Sequence, residues 1–349
     1  MDTNTQSDHL LAPDGSQPAP MPRTQPRSES EASTPDPAPT SVLGGAVVGV
    51  IVGSAILRLA LAAFVTHFVL VDDAYIHLRY ARNLWTTGDF VYNAGEPVFG
   101  LTSPLFGLLC TVLYGLFGSH VAIAVTTLNV ALWTGVSVLA ARTLPASVRL
   151  PLIALICLAP VFVDNQLLGM ESALFALVLM GSLGCALSGR TSNAAAWYGI
   201  ALITRPEAVL LAPVLLWAAS RREGLHAAVR NLVQPRTLML LVGPGILWCV
   251  HAMNTYGSIV PQSMVAKTGW NNDHYDGLFG LKGALLAVPR LTLIPFVDYF
   301  PGAVAWSLTA GVIASVGYVI RANVSRGNAT SRAWLGFYLI YVAFYVAGK

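Results

Sequence analysis

Apolar runs set the pattern of this chain, most of them bounded by arginines, and one polar stretch interrupts the pattern in the first half. The runs lie at about 42–71, 103–118, 121–141, 150–163, 172–188, 194–204, 207–219, 238–253, 302–320 and 333–347. The first is nearly all apolar for 30 residues, interrupted by Arg58, Thr66 and His67. At about 1.5 Å per helical residue that exceeds one bilayer, so the end carrying His67 is expected to protrude. The polar stretch, Val71 to Leu105, holds Asp72, Asp73, Asp89 and Glu96 together with Arg79 and Arg82. Within it Tyr75, Ile76, Leu78, Tyr80, Ala81 and Leu84 recur at three- and four-residue spacings, which predicts an amphipathic helix over 73–86. Gly88 should end that helix, Tyr92-Asn93-Ala94-Gly95 is a turn signal, and Thr102-Ser103-Pro104 offers a hydroxyl cap for a following short helix.

Residues 1–40 are rich in Pro, Ser, Thr, Asp and Glu. Such a segment buries too little surface to offset its ordering entropy, so it reads as a disordered cytoplasmic tail ahead of a multi-span domain over 41–349. Of the 349 residues 55% are hydrophobic and 11% charged, with a mean hydropathy of +0.62, which excludes a soluble domain. A net charge of only +3 gives no surface for nucleic acid. Cys110, Cys157, Cys185 and Cys249 stand singly in apolar segments and read as small buried hydrophobes. Arg58 has two readings, packing or snorkelling on one side and a cavity-facing cation on the other.

Arginine placement orients the chain. If 103–118 lies in the interface instead of crossing, Arg142, Arg149, Arg190, Arg221, Arg222, Arg230, Arg236, Arg321, Arg326 and Arg332 all fall on one face, accompanied by Glu223. The opposite face receives Asp72, Asp73, Asp89, Glu96, Asp164, Glu171, Glu207, Asp273, Asp276 and Asp298. The arginine face is then cytoplasmic, and the first extracytoplasmic loop covers about 72–120. The fold class expected is an all-α polytopic membrane protein of the plasma (inner) membrane, with interfacial helices in that loop.

Carboxylates from separate loops, gathered on one membrane face, suit a reaction between a lipid-anchored molecule and something outside. Asp72 and Asp73 stand where a long helix leaves the bilayer, a place for a general base and a neighbour that orients it or shares a cation. An interfacial helix-terminus charge pair has the same pattern, and both readings stay open. Arg79 and Arg82, three apart on the predicted helix, are placed to meet lipid phosphate, as are the snorkelling arginines of an ordinary surface helix.

Four segments together carry a resemblance. Asp72-Asp73-Ala74-Tyr75-Ile76 is followed by Arg79-Tyr80-Ala81-Arg82-Asn83-Leu84, and then by Tyr92-Asn93 through Gly95-Glu96 to Thr102-Ser103-Pro104-Leu105. Further on stand Gly169-Met170-Glu171-Ser172, Leu202-Ile203-Thr204-Arg205-Pro206-Glu207, and Tyr256-Gly257 with Pro261-Gln262-Ser263 and Lys267. In this order, over about 71–267, they resemble the polyprenyl-phosphate-sugar-dependent glycosyltransferases of the type-C (GT-C) membrane fold, and within it bacterial relatives of the mycobacterial terminal arabinofuranosyltransferases. The resemblance implies a GT-C-like helical bundle and an inverting transfer of arabinofuranose or a hexose. The donor would be a polyprenyl phosphate sugar and the acceptor a hydroxyl of an envelope glycan or glycolipid. It implies Asp72 as general base and Asp73 as its partner or as the contact for a divalent cation. Arg205 and Lys267 would face the leaving phosphate with Arg79 and Arg82 in reserve, while Glu171, Glu207, Glu96 and Asn93 would bind or orient sugar. Glu207, two residues from Arg205, is equally placed for a structural ion pair.

Two positions depart from the family pattern. Phe99 stands where relatives often carry a polar residue, and Gln262 where they carry Asn. The chain stops at Lys349 inside an apolar run, so a truncated C-terminal part, or one without the acceptor-binding portion, is expected. Trp270 to Tyr275 reads as a sugar-binding loop or an interfacial aromatic belt, and His274 as a solvated loop histidine. The sequons at Asn323 and Asn328 fall on the cytoplasmic face, where they carry no meaning. A glycolipid transporter and a non-catalytic scaffold derived from such an enzyme are the alternative functions. The topology is checked by labelling single cysteines from Ser103 to His120 with an impermeant thiol reagent, on a background without the native cysteines. Both ends of that segment should react from the side of Asp72, and ends that react from opposite sides would overturn the placement of every later loop.

Overall fold

The computed structural model describes residues 43–144 and 146–262, with Gly317 and Arg321. Among them every regular element is helical apart from an isolated bridge between Asn93 and Glu96. The helices are α1 (Gly45–Phe64), α2 (Asp72–Thr87), α3 (Pro104–Phe117), α4 (Val121–Thr143), α5 (Ala146–Leu158), α6 (Pro160–Leu167), α7 (Ser172–Leu187), α8 (Thr191–Thr204), α9 (Ala212–Glu223), α10 (Leu225–Leu232) and α11 (Pro235–Tyr256). The tail 1–40, Lys267, the 270–275 loop, Asp298 and, apart from Gly317, the last two apolar runs lie outside the described residues.

Three stretches are long and apolar enough to cross a membrane: α1, the segment Pro104–Thr143, and α11. The middle one is not a single rod. Gly118 has φ +54, and a short 3-10 turn from Gly118 to His120 separates α3 from α4. The 23 residues of α4 reach about 35 Å, whereas the 14 of α3 reach about 21 Å, short of the roughly 30 Å hydrocarbon core.

The main core is built where α2, α3, α4, α7, α8 and α9 meet, with Ala74, Leu78, Phe106, Val125, Leu183 and Leu211 among its buried side chains. Amphipathic α2 lays its apolar face on this core and keeps its charged positions outside. It ends where its sequence demands: Gly88 takes the left-handed conformation, φ +82, and its N–H bonds the Leu84 carbonyl.

Several expectations are corrected. The run 42–71 is not one protruding helix, because α1 stops at Phe64 after 20 residues. His67 and Phe68 adopt φ of +50 and +56, and the Phe68 N–H folds back onto the Ala62 carbonyl, so the last residues before α2 are an unwound turn. The run 150–163 divides into α5 and α6, and 207–219 opens with a 3-10 turn from Pro206 to Leu211 before α9. Ser103 precedes α3 without capping it, and Pro104 takes the first turn. Cys249 is exposed on α11, while the other three cysteines are buried. Arg58 takes its packing role: its side chain is buried and Nη2 donates to the Cys157 carbonyl in the last turn of α5, satisfying an acceptor that the helix leaves open.

Helix α8 approaches α11 closely at Gly199. A Cβ on Gly199 would stand 2.4 Å from the Leu240 carbonyl oxygen and 2.8 Å from that of Leu241, so the two backbones meet as small residues allow in membrane bundles. Backbone cannot yield as a flexible side chain does. Gly199→Ala is expected to destabilise the protein by about 1–3 kcal/mol, read as a lowered unfolding midpoint in detergent; an unchanged midpoint would refute this packing.

Candidate functional site

Glu171 begins as a residue of a turn. Gly169 has φ +78 and packs so closely on Leu70 that a Cβ there would meet Leu70 at 2.8 Å. The Val71 N–H bonds the Leu168 carbonyl at 3.1 Å, which ties this turn to the start of α2. Buried Asn129 on α4 donates to the Met170 carbonyl at 3.0 Å. The chain is thereby held from two sides just before α7, and the Glu171 side chain enters the interior, 2% exposed.

Arg205 reaches it from α8. Proline at 206 disfavours helical backbone at the preceding residue, and Arg205 is extended, φ −151 and ψ 134. Its Nε lies 3.5 Å from Glu171 Oε1 and its Nη2 3.3 Å from Glu207 Oε1, with the guanidinium 5.8 Å over the Phe175 ring. Two carboxylates therefore flank one guanidinium, whose side chain remains 31% exposed. Position at the C-terminal end of α8 favours this cation as well.

His77 completes the cluster, and sequence reasoning missed it. It lies on the apolar side of α2 between Ala74 and Leu78, packs edge-on to Phe106, and its Nε2 stands 3.8 Å from Glu171 Oε2. Neither His77 Nδ1 nor Glu171 Oε2 has a hydrogen-bond partner, and both are buried. Burial pushes the imidazole below its ordinary pKa, against the opposing pull of the Glu171 and Asp73 carboxylates. The available signal was a histidine one turn beyond Asp73 on the buried stripe of a helix that otherwise carries its charges outside.

Asp72 and Asp73 occupy the first turn of α2 and are exposed. Negative charge is favourable there against the helix dipole. Arg79, Asn93 and Glu96 form a second group that braces the loop. Arg79 donates from Nε to the Tyr92 carbonyl at 3.0 Å and from Nη2 to Asn93 Oδ1 at 3.3 Å, and it lies 5.1 Å over the Tyr92 ring. Asn93 in turn donates to Glu96 Oε2 at 2.9 Å. Arg79, Asn93 and Glu96 thus spend polar atoms on one another and on the loop backbone. Arg82 is exposed one turn along.

Phe99 lies at the junction of the first loop with α11. It is buried, stacks on Tyr256 of α11 at 5.0 Å and 8°, and its carbonyl accepts the Gln262 N–H at 2.7 Å. The Tyr256 hydroxyl donates to the Phe90 carbonyl. The first and fourth segments are therefore bound together by an aromatic plug and backbone hydrogen bonds. As for a divalent cation, Asp72 and Asp73 are adjacent oxygen donors, but no group of three or more His, Cys, Asp or Glu side chains suited to a metal occurs among the described residues. No family model matches the chain, nor does any curated protein or solved structure.

The lowered His77 pKa fixes the sign of a pH effect. Below about pH 6.5 the unfolded imidazole binds a proton that the folded one refuses, so this contribution to stability is complete above that value and is lost as pH falls beneath it. The unfolding midpoint should therefore drop as the pH falls below about 6.5, and less steeply in His77→Gln; equal slopes in the two proteins would refute the assignment.

Proposed function

We propose that the chain is a multi-pass inverting glycosyltransferase of the plasma membrane, with its tail cytoplasmic and its site extracytoplasmic. It moves arabinofuranose or a hexose from polyprenyl phosphate to a hydroxyl of an envelope glycan or glycolipid. One observation carries the reading. The Glu171 turn, the Arg205-Pro206-Glu207 break and the polar first loop, far apart in sequence, meet at one buried carboxylate. Apolar helices beneath them suit a lipid-borne donor.

In this reaction Asp72 takes the proton of the acceptor hydroxyl while that oxygen attacks the anomeric carbon. The bond from that carbon to the phosphate oxygen breaks, its electron pair stays with the polyprenyl phosphate, and a single displacement inverts the centre. Asp73 orients Asp72. Arg205, with Lys267, supplies positive charge to the departing phosphate. Glu171 and Glu207 fix the guanidinium and accept hydrogen bonds from sugar hydroxyls, and their spare lone pairs suit that role. The 3.5 Å and 3.3 Å contacts from Arg205 to these carboxylates hold the guanidinium in place.

The test is transfer by membranes bearing the full chain, assayed against a panel of polyprenyl phosphate sugars. Asp72→Asn is expected to lower the rate by about 10²–10⁴-fold with lipid binding retained, the usual weight of a positioned base. Full transfer by that variant would sink the base assignment. Lipid binding without transfer by the unaltered chain would favour a carrier or scaffold.

A further inference from the structure

At the other end of α8 lies a different site. We propose that the polar pocket where α8 and α11 begin binds a phosphate group, independently of the transfer reaction. The 14 residues of α8 put about 21 Å of helix between this pocket and Arg205. Its volume is about 390 Å³, and its walls include Arg190, Thr191, Ser192, Asn193, Asn231 and Gln234, with no carboxylate among its lining residues.

Three observations point to an anion with several acceptor oxygens. First, two helix starts converge here and neither is capped by a side chain. Arg190 and Gln234 hold the positions where a Ser, Thr, Asp or Asn cap is usual, so the N–H groups of Thr191, Ser192 and Asn193, and those of Arg236 and Thr237 after Pro235, have no acceptor within their own helix. The two ends are locked side by side by Ser192 Oγ and Thr237 Oγ1, 2.8 Å apart, which adds the positive ends of two helix dipoles at one place. Second, Thr191 lines the pocket, is 8% exposed, and its Oγ1 has no hydrogen-bond partner. A hydroxyl that has left water without an exchange calls for an acceptor. Third, the charge is of one sign: Arg190 is exposed at the wall, and exposed Arg230 and Arg236 flank the Asn231 to Gln234 side. A guanidinium beside uncapped helix starts matches the forked geometry of phosphate.

A phosphate here has two sources. Exposed Val233, Leu238 and Met239 adjoin Gln234 along the chain, an apolar surface suited to the acyl chains of a phospholipid. A soluble phosphate would use the same donors without that surface. The full chain in detergent is titrated with inorganic phosphate by calorimetry, and in parallel with phosphatidylglycerol by native mass spectrometry, with diacylglycerol as the phosphate-free control. Saturable binding in the lipid arm alone identifies a headgroup; in the phosphate arm, a soluble ligand. In whichever arm binds, Arg190→Gln combined with Thr191→Val should weaken affinity about tenfold or more, the weight of a charge-assisted hydrogen bond. Arg190 is exposed and valine keeps the shape of threonine, so the fold is retained, as an unchanged unfolding midpoint would record. No saturable binding in either arm overturns the proposal. So does equal affinity in the double variant, or binding lost in Arg205→Gln and kept in the double variant.

Discussion

A buried carboxylate is the constraint around which the described part of this protein is arranged. Glu171 has almost no contact with water, and a charge so placed is tolerable only beside an opposite charge or hydrogen-bond donors. Arg205 provides the charge, and His77 stands at the second oxygen. Each partner depends on something further. Pro206 holds Arg205 extended, Asn129 grips the turn before Glu171, and the Val71 to Leu168 hydrogen bond fixes where α2 starts and hence where His77 lies. Loosening any of these leaves a charge buried without compensation, so the cluster and the bundle stabilise one another.

The charged loop divides its labour. Some polar residues brace: Arg79, Asn93 and Glu96 knit the turn, and the Tyr80 hydroxyl accepts the Gly100 N–H at 2.9 Å while donating to the Val98 carbonyl. Phe99 and Tyr256 clamp this braced loop to α11. What remains exposed at the start of α2 is the pair Asp72 and Asp73, on a helix whose other face is packed in the core. Helix α8 extends the same economy across the molecule, with a paired cation after its last residue and an uncapped start at its first.

Local periodicity accounts for what could be read directly. The three- and four-residue spacing of apolar side chains places α2 within a residue of its observed limits, and Gly88 and Pro206 mark breaks because backbone conformation at those residues is set by their own covalent structure. Apolar composition likewise announces helices able to span a bilayer, since it depends on no partner. The unwinding after Phe64 was not legible, because an apolar run of that length is helical by every local measure. It stops where Phe68 turns back toward α1 and packs beside Val163 and Leu167, residues a hundred positions away.

The sequence by itself therefore determined the helical class, the limits of α2, the breaks at Gly88 and Pro206, and the grouping of charged residues into a few short segments. Only the tertiary structure decided which charges meet. It brought His77 into the cluster, assigned Arg79 to the loop, gave Arg58 to a carbonyl of α5 and turned Phe99 into a plug. The reason is physical: a residue's conformation follows from neighbours a few positions along the chain, whereas its desolvation and its partner follow from whichever distant helix is packed against it.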